Sequence, residues 1–365
     1  MEKICNYSKG FYWKLLRSIS KNRHPESLVS EGEFTSLQAT DPPTISYENK
    51  AQNLSLAKDD KKNSVGKTPH FENKNKGKQL SLNKSKSKST EIKIGTINVR
   101  TLRNLENLIE LEKAFMHSNM VIIGLSEVRR RGEKIHVTQK ENLLYHIGNN
   151  EGQKGVGFLI KANYKPLIKE IRGISDRIAI LKMEFQKTII TCVQVYAPTS
   201  TAEEEEIDKF YEQMDEIVIN KQNSNRKNLI LMGDWNSQVG QKQKYEDSTM
   251  GNFGFGNRNR RGCKLVRFCQ EHNLKIVNFF FKKRKGKRWT WISSNQEYKT
   301  LMDYIITPVK NKSIVNFDIQ NKFEFHSDHR LITITMQTDK HNIIDLAIIT
   351  AKATEKLILK NTNKS

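Results

Sequence analysis

Short apolar runs recur through the middle of this chain, and several of them stop on a single carboxylate or amide. Ile92 to Ile97 alternates apolar and polar positions and stops at Asn98. Val121 to Leu125 leads to Glu127, and Leu229 to Met232 passes through Gly233 to Asp234. Period-2 alternation, or a brief apolar run between turn signals, is the pattern of a β-strand. A chain that repeats it is committed to sheets, and its polar groups then gather where the strands end. Further strands are predicted at 155–160, 276–281, 289–291, 302–306 and 331–336, and at 177–185 with 188–196 as a hairpin around Gln186-Lys187.

Leu105, Leu108, Ile109, Leu111 and Phe115 recur at helical spacing and predict a helix over 104–116. Two more helices are predicted over 202–221 and 260–272. In the first of these, Glu203 to Glu206 fall in the opening turn, where acids meet the positive end of the helix dipole. Strands alternate with helices, but hairpins occur too, so the fold class read here is an α/β sandwich of mixed sheets, not a barrel.

Only 36% of the residues are hydrophobic, so a core is available only where they concentrate, which is between residues 92 and 337. A domain is therefore expected over 91–337. Residues 1–90 are rich in Lys, Ser and Asn and bury too little apolar surface to offset chain entropy. They read as a disordered basic extension, either adding non-specific affinity for nucleic acid or inert. Residues 338–365 carry Ile343, Ile344, Leu346, Ile348 and Ile349 and read as a helix packed on the domain or as a remnant of a longer parent chain. No run approaches the roughly 20 apolar residues of a membrane span, and no apolar segment of a secretory signal follows Lys3. Membrane and secreted readings are set aside. The four cysteines lack C-x-x-C spacing, which argues against a zinc site and for a reducing compartment.

The formal net charge is +22, which attracts polyanions, nucleic acid first among them. The charge is uneven: twelve Lys or Arg and one acid, Glu271, fall between Arg258 and Arg288. Lys282, Lys283, Arg284, Lys285, Lys287 and Arg288 form its densest run. Three readings apply to that run: a groove rim on DNA phosphates, a solvated loop, or a nuclear-import signal. The expected location is the nucleus, or else the cytoplasm.

The polar groups at the strand ends suit attack on a phosphodiester. Such attack needs a positioned water, a base, and positive charge on the phosphorane. A hard divalent cation supplies that charge and prefers carboxylate oxygens. Glu127 fits a metal ligand, with Asp328 assisting directly or through water. Asp234 fits the base. Asn236, two residues on along an extended segment, is expected on the same face, holding the water or a phosphate oxygen. His329 fits a donor to a phosphate oxygen, with Asp303 holding its second nitrogen. Asn98 and Tyr196 would orient carboxylates and phosphate. Trp291 reads as core packing. Each of these signals has a bland alternative as a turn, cap or surface residue; their co-occurrence in order is the argument.

That order resembles the endonuclease/exonuclease/phosphatase superfamily, which includes abasic-site repair endonucleases and non-LTR retrotransposon endonuclease domains. The stretches that carry the likeness are Thr96-Ile97-Asn98-Val99-Arg100, Leu125-Ser126-Glu127-Val128-Arg129, Val195-Tyr196-Ala197-Pro198, Met232-Gly233-Asp234-Trp235-Asn236, Trp289-Thr290-Trp291, Met302-Asp303-Tyr304-Ile305 and Ser327-Asp328-His329. Ser175-Asp176-Arg177-Ile178 and Tyr211-Glu212-Gln213 look closest to the craniofacial development protein 2-like group. The resemblance implies a four-layer sandwich of two facing sheets with helices outside, Mg²⁺ or Mn²⁺, no organic cofactor, DNA as partner and the residue roles given above. It implies a retrotransposon-derived, strand-nicking endonuclease. The competing functions are a phosphatase of small phosphorylated molecules on the same fold, and a domesticated binding protein without catalysis. Two positions depart from the pattern: Arg100 stands where repair enzymes commonly carry an aspartate, and Thr300-Leu301-Met302 lacks a basic or amide residue.

Overall fold

The structure is a computed structural model that describes residues 91–185, 188–220 and 226–338. The expectations for residues 1–90, for 339–365 and for the Gln186-Lys187 turn lie outside the described residues. In chain order the first half contains β1 (Glu91–Asn98), α1 (Leu105–Met116), β2 (Ile122–Ser126), β3 (Gly132–Val137), β4 (Leu143–Gly148), β5 (Val156–Ile160), β6 (Ile168–Ser175), β7 (Ile178–Phe185) and β8 (Thr188–Tyr196). The second half contains α2 (Glu204–Asn220), β9 (Leu229–Asp234), α3 (Arg260–Glu271), β10 (Leu274–Ile276), β11 (Trp291–Ile292), β12 (Lys299–Thr300), β13 (Asp303–Pro308), β14 (Ile314–Ile319) and β15 (Ile332–Gln337).

Two large sheets result. One runs β14-β15-β1-β2-β5-β4-β3 and the other β10-β13-β9-β8-β7-β6. Both are mixed: β1 is parallel to β2 and β8 to β9, while the other pairs are antiparallel. The alternation in β1 and β2 decides which residues face the second sheet. Ile92, Ile94 and Ile122 join the inter-sheet core, whereas Ile97, Ile123 and Leu125 turn outward to meet Leu108, Leu111 and Phe115 of α1. On the other side, α2 and α3 pack through Phe210 and Phe268 against Trp235, just past the end of β9. The layers are therefore helix, sheet, sheet, helices, as expected. Each fully buried Leu, Ile or Phe contributes about 1.5–3 kcal/mol of transfer free energy.

A polar column crosses this apolar interior. Thr96 on β1 donates to the Gln194 Oε1 of β8 (3.0 Å), and Gln194 Nε2 donates to Ser126 Oγ of β2 (2.9 Å). Ser126 in turn donates to the carbonyl of Val195 (2.7 Å). Gln194 fits because Gly124 stands opposite it: a Cβ at Gly124 would lie 1.8 Å from Gln194 Oε1. The column pins the sheets together next to the strand ends that carry the polar groups.

Some expected strands differ. Residues 276–281 do not form a strand: pairing stops at Ile276 and a 3-10 turn spans Val277–Phe280. The side chain of Asn278 takes over from the ladder, donating to Asp303 O and accepting from Ile305 N, both at 3.0 Å. In 289–291 only Trp291 enters a strand, β11; Thr290 donates its backbone N–H to Thr300 O (2.9 Å) and accepts the N–H groups of Met302 and Asp303 on its hydroxyl. Strands β3, β4, β6, β12 and β14 lie outside the expected ones. β3 and β6 each form one edge of a sheet, and the exposed Lys134 and Lys169 with the half-buried Glu133 and Glu170 blur the period-2 signal.

Candidate active site

Strand register brings the polar groups together. Asn98 pairs with Ser126 at the ends of β1 and β2, and Asp234 pairs with both Tyr196 and Asp303 at the ends of β8, β9 and β13. The two sheets meet through the Asn98 amide, which donates to Asp234 Oδ2 (3.0 Å) across 136 residues of sequence. Asp234 is 1% exposed. Its other oxygen accepts the backbone N–H of Asn236 (2.9 Å).

His329 sits beside it. Its Nε2 is 3.9 Å from Asp234 Oδ2, and its Nδ1 is 2.9 Å from Asp303 Oδ2. Asn98, Asp234, His329 and Asp303 thus form a buried relay, amide to carboxylate to imidazole to carboxylate. Burial pushes Asp234 upward, and the nearby charge of Asp303 adds to it, against the opposing pull of His329. Burial resists charge on His329, but the charge and hydrogen bond of Asp303, then Asp234 and Asp328, outweigh it and raise its pKa. The imidazole is therefore held protonated beside a carboxylate made more basic, a pairing suited to proton traffic near neutral pH.

The His-bearing loop is fixed by its neighbours. Ser327 Oγ donates to Asn98 O (2.7 Å) and accepts from His329 N (3.1 Å). Trp291 Nε1 donates to Asp328 Oδ2 (3.2 Å), and the backbone of Ile292 donates to Asp328 O (3.1 Å). Trp291, expected in the core, is half-exposed, because its indole N–H is spent on this carboxylate. Thr290, fully buried, accepts from the backbone N–H groups of Met302 (3.1 Å) and Asp303 (3.2 Å) and so sets where β13 begins.

Three chain exits at the site use a left-handed residue that is not glycine: Arg100 (φ 56°) after β1, Glu127 (φ 59°) after β2 and Asn236 (φ 46°) after β9. Such conformations cost about 1–3 kcal/mol each and persist where surroundings hold them. Asn236 corrects the expectation that it shares a face with Asp234 by strand alternation. The strand ends at Asp234, the chain turns, and the Asn236 amide donates to Ala197 O (2.8 Å). What it offers Asp234 is its backbone N–H.

Glu127 is ion-paired with the guanidinium of Arg129. Asp328 has one oxygen, Oδ1, without a hydrogen-bond partner, 3.6 Å from Arg100 Nε. Hard oxygen donors, one of them already holding a cation, fit a divalent metal of the Mg²⁺ class. Asp234, Asp303 and His329 also lie within 4.8 Å of one another. There the two Asp234 oxygens accept N–H donors and the His329 ring nitrogen is held by Asp303, so a proton relay describes the cluster better than a ligand shell.

Tyr196 ends β8 beneath the Arg177 guanidinium, 5.4 Å from the ring centroid. Burial raises its hydroxyl, and Glu127 and Asp234 push it the same way, so it remains a phenol and a donor. Arg177 also donates to Tyr196 O (3.0 Å) and grips Glu206 of α2 (2.7 Å). Glu206 thus does more than favour the helix dipole.

The basic run lies in the loop before β11. Lys287 and Lys283 both pair with Asp318, at 2.9 and 3.5 Å, while Lys282, Arg284 and Lys285 are exposed. Arg288 Nε donates to Lys283 O (2.8 Å). Arg330, next to His329, donates to Gly286 O (2.7 Å), which joins this loop to the site. The sequence reading had no role for Ser126, Gln194, Thr290, Ser327 or Arg177. Ser126, Thr290, Ser327 and Arg177 lie in the stretches that carry the family likeness, whereas Gln194 lies in none of them.

Comparison with known proteins follows the same line. Residues 190–333 match a family described as endonuclease-reverse transcriptase. Craniofacial development protein 2 of Bos taurus is 28% identical over 244 residues, which are 66% of this chain and 40% of that protein. The Tragulus javanicus protein of the same name is also 28% identical, with 42% of its length matched. The chain thus spans about two fifths of the curated relatives it matches. Among solved structures, the AP endonuclease LMAP from Leishmania major superposes with a TM-score of 0.52 at 15% identity, over 68% of this chain and 88% of that one. The fold of this chain is that of the endonuclease/exonuclease/phosphatase superfamily, a hydrolase superfamily of nucleases and phosphatases, and its sequence resembles the craniofacial development protein 2 group.

Proposed function

We propose that residues 91–337 form a divalent-cation-dependent DNA endonuclease that hydrolyses one strand. The observation that carries this reading is the buried relay Asn98–Asp234–His329–Asp303, assembled from the strand ends of both sheets. Asp234 takes the proton of the attacking water, its carboxylate aimed by the Asn98 amide and the Asn236 backbone N–H. His329, protonated and anchored by Asp303, donates to a phosphate oxygen as negative charge develops there. The Tyr196 phenol donates to the same phosphate. Glu127, with Asp328, would hold the cation, which supplies Lewis-acid stabilisation of the phosphorane. The match to an endonuclease-reverse transcriptase family supports a retroelement origin. The exposed Lys282, Arg284 and Lys285 favour an extended polyanion over a small phosphorylated molecule, and fit a nuclear protein.

Supercoiled plasmid incubated with Mg²⁺ tests the reading. The wild-type chain should yield nicked circles, and Asp234→Ala and His329→Ala should not. Hydrolysis of inositol phosphates with intact plasmid would assign the fold to a phosphatase. No turnover of either, with DNA still bound, would leave a binding protein.

A further inference from the structure

A second cationic feature lies at the opposite edge of the seven-stranded sheet from the basic run, on β3, β4 and the chain that follows Glu127. Immediately after Glu127 the chain runs Val128-Arg129-Arg130-Arg131, and with Arg103 and Lys134 these arginines line an open groove of about 620 Å³. Among the described residues that line it, Glu151 is the one acid. Among the described residues, Arg103, Arg130, Arg131 and Lys134 form no ion pair. Their field is felt at the groove's floor: after burial, the charges of Arg130 and Lys134 are what hold His136 low. An unneutralised cationic groove focuses positive potential and recruits polyanions.

Arg129 differs from the rest. Its backbone is clamped, with its N–H donating to Lys154 O (2.8 Å) and its carbonyl accepting from Arg103 Nε (3.1 Å). Its side chain reaches back to Glu127, yet its Nε is buried without a hydrogen-bond partner. The guanidinium therefore sits between two sites, held at one end by a single carboxylate. A divalent cation on Glu127 would compete for that carboxylate and repel the guanidinium.

We propose that Arg103, Arg130, Arg131 and Lys134 bind the phosphates of the nucleic-acid strand beside the reacting bond, and that Arg129 joins them only when a divalent cation displaces it from Glu127. The proposal rests on the phosphodiesterase reading for the place of the cation, but its readouts are binding, not turnover. Cation binding and nucleic-acid binding are then coupled through one side chain, and each strengthens the other.

The test uses the full chain, a fluorescein-labelled DNA duplex and Ca²⁺, an oxygen-seeking cation used here to keep the strand uncut. Anisotropy is followed across a salt series. The triple variant Arg130→Gln/Arg131→Gln/Lys134→Gln should flatten the log–log salt dependence by about 2 to 3 units, since each lost phosphate contact removes roughly 0.9. Arg130→Lys/Arg131→Lys should keep the slope, which separates lost charge from lost fold. Arg129→Gln should leave affinity in EDTA unchanged and lower it about five- to tenfold in Ca²⁺. Calorimetry of Ca²⁺ with the free protein should show Arg129→Gln binding the cation several-fold more tightly. An unchanged slope in the triple variant overturns the groove. Equal losses for Arg129→Gln with and without Ca²⁺, or weaker Ca²⁺ binding, overturn the displacement. A chain that shows the coupling but never nicks plasmid refutes the phosphodiesterase reading alone.

Discussion

One methyl group at Gly124 should be among the most damaging small changes this fold can receive. The new Cβ would lie 1.8 Å from Gln194 Oε1, 2.7 Å from its Cδ and 2.9 Å from Met232 Cε. A glutamine end is ordinarily free to swing aside, but this one is fully buried and bonded at both atoms, to Thr96 and to Ser126. Overpacking of a filled core costs about 1–3 kcal/mol, and the two displaced hydrogen bonds add about 1 kcal/mol each. Gly124→Ala should therefore destabilise the domain by about 3–5 kcal/mol. At about 2–4 °C per kcal/mol for a domain of this size, the melting temperature falls by about 6–20 °C. Urea unfolding of Gly124→Ala, Gln194→Ala and the double variant gives the coupling. The double variant should be less destabilised than the sum by at least ~1 kcal/mol, because the second change removes the obstacle to the first. Nicking should fall with stability, since Ser126 also meets the backbone N–H of Asp234 at 3.4 Å. Strict additivity, or a Gly124→Ala cost below about 1 kcal/mol, would refute the role given to the column.

Three further outcomes follow from the same geometry. His146 is buried beside His136, their Nε2 atoms 3.2 Å apart, and burial first, then the charges of His136, Arg130 and Lys134, lower it to about 3. Its unfolded value is near 6.5, so its contribution to stability is complete above that pH and is lost as pH falls toward 3; between pH 6.5 and 4.5 the loss should be about 2 kcal/mol, and urea midpoints of His146→Gln should show that much less acid sensitivity. Thr290→Val leaves two backbone N–H groups without an acceptor and should cost about 2–4 kcal/mol, while Thr290→Ser should cost under about 1 kcal/mol; equal melting temperatures for the two variants would remove the hydroxyl from the account. Asp303→Asn removes the charge that keeps His329 protonated, so kcat for nicking should drop at least about tenfold with DNA affinity nearly unchanged; a loss confined to affinity would contradict the relay.

Much of the fold was legible because period-2 alternation survives wherever one face of a strand is buried and the other is not. Thr188–Tyr196 was bounded to the residue, and its partner β7 to within one. Where a side chain replaced a backbone partner, as Asn278 and Thr290 do, the pattern misled, since hydropathy does not record hydrogen bonds. The edge strands β3 and β6 were lost for a related reason, being charged on a face that solvent wets.

What the linear order of residues determined is most of the inventory: the strands with one buried face, and that Asn98, Glu127, Tyr196, Asp234 and Asp303 lie at or next to strand termini. Only the packing of one sheet on the other decided that Asn98 would touch Asp234 across 136 residues, that Arg129 would occupy Glu127, and that Arg103 would join the arginines after it in one groove. The reason is one of range. Alternation and helical spacing are set by neighbours along the chain, while distances between strand ends, left-handed exits and the field of clustered charges depend on neighbours in space.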